Sequence, residues 1–213
     1  MYSEEMINVR NEKRVNRIIE NLALRNMTGY YAKDKKEALD IALSLIPEGS
    51  KVTMGGSMSV KAIGLDEALK SGNYDFCDRD QMPAEKKREA ALFAYDADVF
   101  LGSCNAVSED GILVNIDGNS NRVSAYAFGP KKLVLIVGMN KLAPDFDSAL
   151  KRARNEAAPI NAQRFNLNTP CSKLGKCMDC LSPDTICCQF LITRASRHKD
   201  RIHIIFVNED LGY

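Results

Sequence analysis

The sequence has almost no net charge and contains no tryptophan. Its 29 lysine and arginine residues are balanced by 28 aspartate and glutamate residues, which leaves a formal net charge of +1 over 213 residues. The aromatic residues (7%) form no stripe on which nucleic-acid bases would stack. Because no strong positive field is present, we expect no nucleic-acid partner and no attraction to anionic lipid.

Long hydrophobic runs are also missing. The longest apolar run, from Lys132 to Met139, is far too short to span a membrane. The first residues, Met1 to Arg14, are charged and contain no apolar segment of the kind found in signal peptides. We therefore expect a cytoplasmic protein with no membrane span. In that compartment we expect the seven cysteines to form no structural disulfides.

Histidine is scarce, and the common nucleotide-binding motifs are absent. The two histidines, His198 and His203, form no His-x-x-x-His pair, so each is interpreted as a surface or core residue. Neither the glycine fingerprint of dinucleotide-binding folds nor the phosphate-binding loop of nucleotide hydrolases occurs. Candidate site residues therefore come from other residue types.

The length and the apolar content (45%) are those of a single α/β domain, residues 1–213. Apolar residues at helical spacing predict N-terminal helices within residues 1–47, with Ser3 and Asp34 as capping residues. Strand–helix units follow, and a Cys-rich insertion occupies residues 168–190. This order predicts a mostly parallel sheet with helices on both faces.

The later elements have definite predicted bounds. Single helices are predicted from about Ser59 to Lys70 and from Phe146 to about Ala157. Four apolar runs predict strands, at Val99–Leu101, Leu133–Val137, Phe190–Ile192 and Ile202–Val207.

A glycine turn follows the strand predicted at Lys51–Met54. Its residues, Gly55-Gly56-Ser57, lead directly into a helix. Adjacent glycines let the backbone approach a ligand closely, and free N–H groups at a helix start favour an anion. The alternative is a tight turn that needs glycine for its geometry alone. Ligand contact is the favoured interpretation, because such turns lie at the carboxyl ends of strands, where sites form.

A compact polar segment lies between the two central strands. It contains two acidic turns, Ser108-Glu109-Asp110-Gly111 and Asp117-Gly118-Asn119, with Asn115 between them. Glu109 would act as a nucleophile or a general acid–base, and Asp117 and Asn119 would hold substrate hydroxyls. The alternative is two ordinary hairpin turns, because Asp-Gly is a frequent hairpin pair. The residues alone leave both interpretations open.

These segments resemble the LUD family, which is named for lactate utilization. The resemblance spans residues 5–210 and is carried by Ala106–Asn115, Gly118, the helix Arg122–Phe128, the Gly55-Gly56-Ser57 turn and Ala158–Ala162. It implies a fold similar to the superfamily that holds CoA transferases, ribose-5-phosphate isomerase, initiation factor 2B-type proteins and sugar-sensing regulators.

Ser108-Glu109-Asp110-Gly111 is similar to the Ser-Glu-Asn-Gly motif of CoA transferases. In those enzymes the glutamate becomes acylated and exchanges with CoA, and Glu109 occupies the matching position. Asp110 departs from the asparagine of the motif. Those enzymes are usually built from two subunits, and a single chain of this length does not supply both. The resemblance therefore leaves transferase activity open.

Five cysteines fall close together in the pattern C-x5-C-x2-C-x6-C-C. Cys171, Cys177, Cys180 and either Cys187 or Cys188 would bind zinc or an iron–sulfur cluster, with Cys187 taken as the fourth ligand. A thiol–disulfide switch is a less supported alternative. In a further alternative, Cys187 and Cys188 are buried core residues before a strand.

Two functional hypotheses remain, and whether the protein is an enzyme stays open. In the first, a small-molecule pocket binds an organic acid, its thioester or a sugar phosphate, and Arg164 either pairs with the ligand's anion or lies on a helix surface. In the second, the protein is a non-catalytic scaffold, sensor or redox-assembly subunit that partners iron–sulfur or flavin proteins of lactate oxidation. A homodimer is the default oligomeric state. The predicted pocket residues are Gly55, Gly56, Ser57, Glu109, Asp110, Gly111, Asn115, Asp117, Gly118 and Asn119.

Overall fold

A computed structural model describes residues 3–213. Its strands are β1 (Thr28–Ala32), β2 (Lys51–Met54), β3 (Asp75–Cys77), β4 (Val99–Gly102), β5 (Ala106–Ser108), β6 (Leu113–Asp117), β7 (Lys132–Gly138), β8 (Leu142–Ala143), β9 (Gln189–Thr193) and β10 (Ile202–Val207). Its helices are α1 (Glu4–Ala23), α2 (Lys35–Ser44), α3 (Met58–Ala62), α4 (Leu65–Ser71), α5 (Lys87–Asp96), α6 (Asn121–Ala127), α7 (Phe146–Arg152), α8 (Ala158–Arg164) and α9 (Pro170–Leu174). The fold is α/β, as the order of elements predicts.

Six strands form one parallel sheet in the order β1-β10-β7-β4-β2-β3. Every residue of β10 and nearly every residue of β7 is buried. Continuous burial is expected of strands that helices cover on both faces, because neither face meets solvent. The mostly parallel sheet is therefore confirmed.

The side chains of β7 alternate between two hydrophobic cores. Leu133 and Leu135 pack on one face of the sheet, where Ile18 and Leu22 of α1 cover them. The next side chains in the strand point to the other face, which α2, α3 and α4 cover. This alternation is the period-2 geometry of a strand, so one apolar run serves both cores.

A second sheet, in the order β8-β5-β6-β9, packs beside the first. β5 and β6 form the antiparallel hairpin that carries the first acidic turn, and β9 pairs antiparallel with β6. The helix α7 covers this sheet through Ala149. The hairpin is one of the two interpretations that the sequence leaves open, and the late strand at Phe190–Ile192 is predicted, but the sequence does not predict that they form a separate sheet.

Three predicted elements differ from the structure. The helix predicted from Ser59 to Lys70 is two helices, because Gly64 between them has a left-handed φ of 74°. The helix predicted from Phe146 to Ala157 continues through a π turn to Arg164. Residues 1–47, predicted as helices joined by a short extended piece at Tyr30–Ala32, contain that piece as the strand β1, which begins earlier, at Thr28, and forms an edge of the parallel sheet.

The two predicted N-caps are present. The Ser3 side chain accepts a hydrogen bond from the backbone N–H of Met6 at 3.2 Å, and Asp34 accepts one from Glu37 at 2.8 Å. Such bonds satisfy N–H groups that have no partner within the helix. Across residues 3–213, no helix has the length and apolar character needed to cross a membrane.

Candidate functional site

A cavity of about 500 Å³ opens at the carboxyl edge of the parallel sheet. Four strand ends supply its floor: β2 leads into the Gly55-Gly56-Ser57 turn, β4 into Ser103 and Cys104, β7 into Lys141, and β10 is followed by Gly212. Ligands of open α/β sheets bind at this edge, and the volume suits a small metabolite. We take this cavity as the candidate site.

Two close backbone approaches shape the floor. A Cβ atom on Gly102 would lie 1.9 Å from the hydroxyl of Tyr126, so only glycine leaves room for that hydroxyl. The hydroxyl accepts from the Ser103 N–H at 3.1 Å and donates to the Ser103 carbonyl at 2.9 Å. Gly138 likewise lets the backbone of Leu211 pass, since a Cβ there would lie 2.4 Å from the Leu211 nitrogen. The Ser103 backbone is therefore fixed at the cavity floor.

The structure brings six of the ten predicted pocket residues to the cavity. These residues are Gly55, Gly56, Ser57, Asp117, Gly118 and Asn119. They come from two distant turns, one on each sheet, which face each other across the opening. The side wall is completed by Arg164 and Phe165 at the end of α8, by Leu167 just before the Cys-rich segment and by Ile186 within it.

Glu109, Asp110 and Gly111 lie elsewhere, against α1. The Glu109 carboxylate accepts from Arg14 Nε at 2.6 Å, and the Asp110 carboxylate lies 3.8 Å from Arg25. Gly111 has a φ of +85° and fits against the backbone of α1. None of the three residues lines the cavity, so the structure does not bring Glu109 into it. Its observed contacts are those of a hairpin turn clamped to a helix.

Asn115 lies beneath the cavity and is fully buried. Its Oδ1 accepts from Arg122 at 2.9 Å, while its Nδ2 is the one buried side-chain nitrogen or oxygen of residues 3–213 without a hydrogen-bond partner. Arg122 also donates to the Ile116 carbonyl at 2.5 Å and lies 3.5 Å from the Asp117 carboxylate. Through these contacts Arg122 fixes the end of β6 and the turn Asp117-Gly118-Asn119 that follows it.

Two guanidinium groups converge on Gly56 at the mouth of the cavity. A point at the Cβ position of Gly56 would be 2.9 Å from Nη2 of Arg164 and 3.6 Å from Nη2 of Arg79. Arg164 Nη1 donates to the Gly56 carbonyl at 3.0 Å. The carboxylate nearest to Arg79 is Asp80, at 3.4 Å, and Asp80 also pairs with Lys61 at 3.1 Å.

Two of the cations at this mouth, Lys61 and Arg79, share the Asp80 carboxylate, whose Oδ2 lies 3.7 Å from the Cβ position of Gly56. Burial alone would raise the pKa of Asp80, but Lys61 and Arg79 together hold it below its usual range, so Asp80 stays ionised. An anion bound at Gly56 would relieve the remaining repulsion between the guanidinium groups. Of the two interpretations of Arg164, the structure places it at the cavity, and no sequence signal identifies Arg79.

Lys141 lies at the cavity floor with only 3% of its surface exposed. Its Nζ lies 2.9 Å from Ser103 Oγ and 3.0 Å from Ser59 Oγ. Burial lowers the pKa of Lys141 to about 7, and the charges of Arg152 and Arg122 act in the same direction. Sequence analysis missed this residue, although its position just after a buried strand is a usable signal.

Cys104 is a buried thiol in the wall of the cavity. It lines the cavity, yet it is 2% exposed. Burial raises the pKa of its thiol to about 11, so the thiolate form is not populated near neutral pH. Cys104 therefore acts as a small packing residue in the cavity wall.

The Cys-rich segment forms a loop with one short helix, α9, and its cysteines are free thiols. The Thr169 hydroxyl contacts Cys171 Sγ at 3.2 Å, and the Asp179 N–H donates to Cys177 Sγ at 3.4 Å. Burial, followed by the nearby thiols of Cys177, Cys171 and Cys180, raises the pKa of Cys187 to about 11. The four predicted ligands thus share one neighbourhood.

No metal centre is formed by these thiols in the described structure. Within residues 3–213 no three His, Cys, Asp or Glu side chains come together in an arrangement that could hold a metal ion. Cys188 is exposed and Cys187 is only half-buried, which does not fit the alternative that both are core residues. The zinc or iron–sulfur site stays a prediction.

A second cavity, of about 700 Å³, lies at the opposite edge of the parallel sheet, where β7 and β10 begin. Its basic residues include Lys131, Arg194 and Arg201. The guanidinium group of Arg201 donates hydrogen bonds to the backbone carbonyls of Pro130 and Tyr126. The amino edge of a parallel sheet is not where α/β sites form, so the cavity at the carboxyl edge remains the candidate.

Comparison with known proteins finds a matching family model and a solved structure with a similar fold. The LUD domain family model matches residues 15–207. The crystal structure of a DUF162 family protein from Deinococcus radiodurans is similar with a TM-score of 0.54, at 10% sequence identity, over 92% of this chain and 97% of that chain. An identity this low supports the fold alone. A search of curated proteins finds no match.

Proposed function

This chain belongs to the LUD domain family, which supports a role related to lactate utilization, and from that premise we propose that its cavity binds a small anionic metabolite. The candidate ligands are an organic acid, its thioester or a sugar phosphate. All three carry a negative group. The ligand's negative group would lie at Gly56 between Arg79 and Arg164, and the rest of the molecule would extend toward Lys141.

The observation that carries this proposal is the imbalance of charge at the cavity. Four basic side chains line it, namely Arg79, Arg122, Lys141 and Arg164, against the single carboxylate of Asp117. Arg122 lies 3.5 Å from that carboxylate and Arg79 lies 3.4 Å from Asp80, so within residues 3–213 Lys141 and Arg164 are the basic lining residues that pair with no carboxylate. In a partly enclosed cavity, charge-assisted hydrogen bonds to a carboxylate or phosphate are roughly twice as strong as neutral ones.

Titration calorimetry with lactate, pyruvate and dihydroxyacetone phosphate tests the proposal. We expect at least one of these anions to bind and Arg164→Gln to weaken binding by about tenfold or more, as expected for the loss of one charged hydrogen bond. Arg88→Gln is the matched control, because it removes the same charge from an exposed position on α5. Equal affinities in the two variants, or no binding of any anion, would contradict the proposal.

Exposed apolar side chains favour a second candidate, a scaffold, sensor or redox-assembly subunit. Leu174, Met178 and Leu181 of the Cys-rich segment are 62%, 50% and 98% exposed. Exposed apolar groups clustered on one segment are typical of a protein interface. Co-elution with an iron–sulfur or flavin protein of lactate oxidation, lost in Leu181→Ser, would support this candidate. Elution of each protein alone would contradict it.

A further inference from the structure

Lys141 is a buried amine that has no carboxylate partner among residues 3–213. Its two side-chain contacts are the hydroxyls of Ser59 and Ser103, and neither is an anion. A buried ammonium normally requires a paired charge, because losing its water shell is costly. The amine nevertheless lines the cavity that we assign to a small anion. The fold therefore places this side chain where it can touch a ligand.

The surroundings of Lys141 favour the uncharged amine. Burial is the main cause, and Arg152 of α7 and Arg122 of α6 add positive charge, which outweighs the opposing effect of Cys104. Arg152 is itself anchored, because its Nε donates to the Asn140 carbonyl at 2.7 Å. A neutral lysine amine carries a free electron pair and is a nucleophile toward carbonyl carbon.

We propose that Lys141 forms an imine with the carbonyl group of a small anionic ligand that is held at Gly56 by Arg79 and Arg164. This proposal rests on the proposed function, since it needs an anion in the cavity. It narrows the ligand class to compounds that carry both a negative group and an aldehyde or ketone, such as α-keto acids and ketose phosphates.

The atoms of this step balance without another reactant. The electron pair of Lys141 Nζ forms a bond to the carbonyl carbon, and the C=O π electrons move to the oxygen. The nitrogen releases two protons and the oxygen takes up two, so that the oxygen leaves as water and a C=N bond remains. The hydroxyls of Ser59 and Ser103 lie 3.0 and 2.9 Å from Nζ, close enough to relay these protons.

Borohydride trapping tests the proposal, with dihydroxyacetone phosphate as the probe. Reduction of the imine would leave a permanent adduct, and we expect one adduct per chain in the wild-type protein. Peptide mapping by mass spectrometry should locate it on Lys141. Lys141→Arg, which keeps a long basic side chain but lacks a nucleophilic amine at neutral pH, should give no adduct. Lys131→Arg is the control, because Lys131 is exposed and outside this cavity.

The melting temperature with the same probe separates the two proposals. If the probe raises it but no adduct forms on Lys141, the imine proposal is wrong and the anion-binding proposal stands. If the probe neither raises it nor forms an adduct, both fail. Labelling of Ser103 by a fluorophosphonate, lost in Lys141→Arg, together with the absence of an adduct, would replace the imine with a serine–lysine acyl-transfer site. The wild-type peptide map remains decisive even if Lys141→Arg does not fold.

Discussion

Among single residues, Lys141 affects both the folding stability of the protein and the reactivity proposed for its cavity. The charged amine loses its water shell on burial, and the protein avoids part of that cost by releasing the proton. Sequence patterns do not reveal this, because the burial is produced by chain segments far away in sequence. Ser59, Ser103 and Gly212 follow different strands of the parallel sheet, and the fold brings all three to Lys141.

The lowered pKa of Lys141 predicts that the free energy of unfolding depends on pH. Its pKa is about 7 in the folded protein and 10.5 as an ordinary value, so above pH 7 the unfolded chain binds more protons than the folded one. Stability should therefore rise with pH, by up to about 1.4 kcal/mol per pH unit from this group. Lys141→Met should lose that slope in urea denaturation between pH 7 and 8.5, where Cys104 stays protonated. Parallel wild-type and variant profiles would contradict the assignment.

For Glu109 we predict no effect on anion binding. Because its carboxylate pairs with Arg14 and lies outside the cavity, Glu109→Gln should leave anion affinity in calorimetry unchanged. Both side chains are partly exposed, so the loss of unfolding free energy should be no more than about 1 kcal/mol. Arg14→Gln should cost a similar amount, and the double variant should cost less than the sum of the two. A Glu109→Gln protein that no longer binds the anion would restore this carboxylate to the site.

At the scale of elements, apolar spacing and caps predicted most of the fold. The strand Ile202–Val207 has its predicted bounds, since every side chain in it is buried and the run is uniformly apolar. The second sheet was not predicted because it depends on the pairing of β6 with β9, which lies more than 70 residues later. The break at Gly64 was missed because the flanking apolar spacing stays helical.

The glycine of the second acidic turn controls a contact between elements. A Cβ atom on Gly118 would lie 3.0 Å from the Cα of Ile186, which is backbone and cannot move alone. Gly118→Ala should therefore push the Cys-rich segment away from the cavity. We expect faster limited proteolysis within residues 167–188 and weaker anion binding, with a small change in melting temperature.

Gly55→Ala is the control for this variant. It also adds a methyl group at the cavity, but the nearest atoms lie 3.6 Å away, which is an ordinary contact. Its proteolysis pattern should match that of the wild-type protein. If Gly118→Ala is cleaved no faster than Gly55→Ala, the contact with Ile186 does not hold the segment.

At the scale of the whole molecule, a net charge of +1 conceals a local excess of cations. Composition predicts no strong overall field, and that is compatible with a basic cavity of molecular size. Arg79 and Arg164 are 85 positions apart in sequence and meet only at Gly56. The turns Gly55-Gly56-Ser57 and Asp117-Gly118-Asn119 were predicted as site residues because turn chemistry is local. Arg164 was left with two interpretations, and Arg79 and Lys141 were not predicted.

The four-cysteine site predicts the metal content of the intact protein when it is purified without oxygen. Either one zinc ion per chain, which is colourless, or one iron–sulfur cluster per chain, which is coloured, is expected. Cys177→Ser should lose the metal, and Cys77→Ala, which removes a thiol from β3, should keep it. Elemental analysis that finds no metal in the wild-type protein would overturn the four-cysteine prediction.

The most direct test of the central claim is a crystal structure of the protein soaked with dihydroxyacetone phosphate. We predict phosphate density beside Gly56, within hydrogen-bond distance of Arg79 and Arg164, and the ketone carbon directed at Lys141 Nζ. Phosphate density found only in the second cavity, or an empty first cavity at a concentration that saturates binding in calorimetry, would contradict the claim.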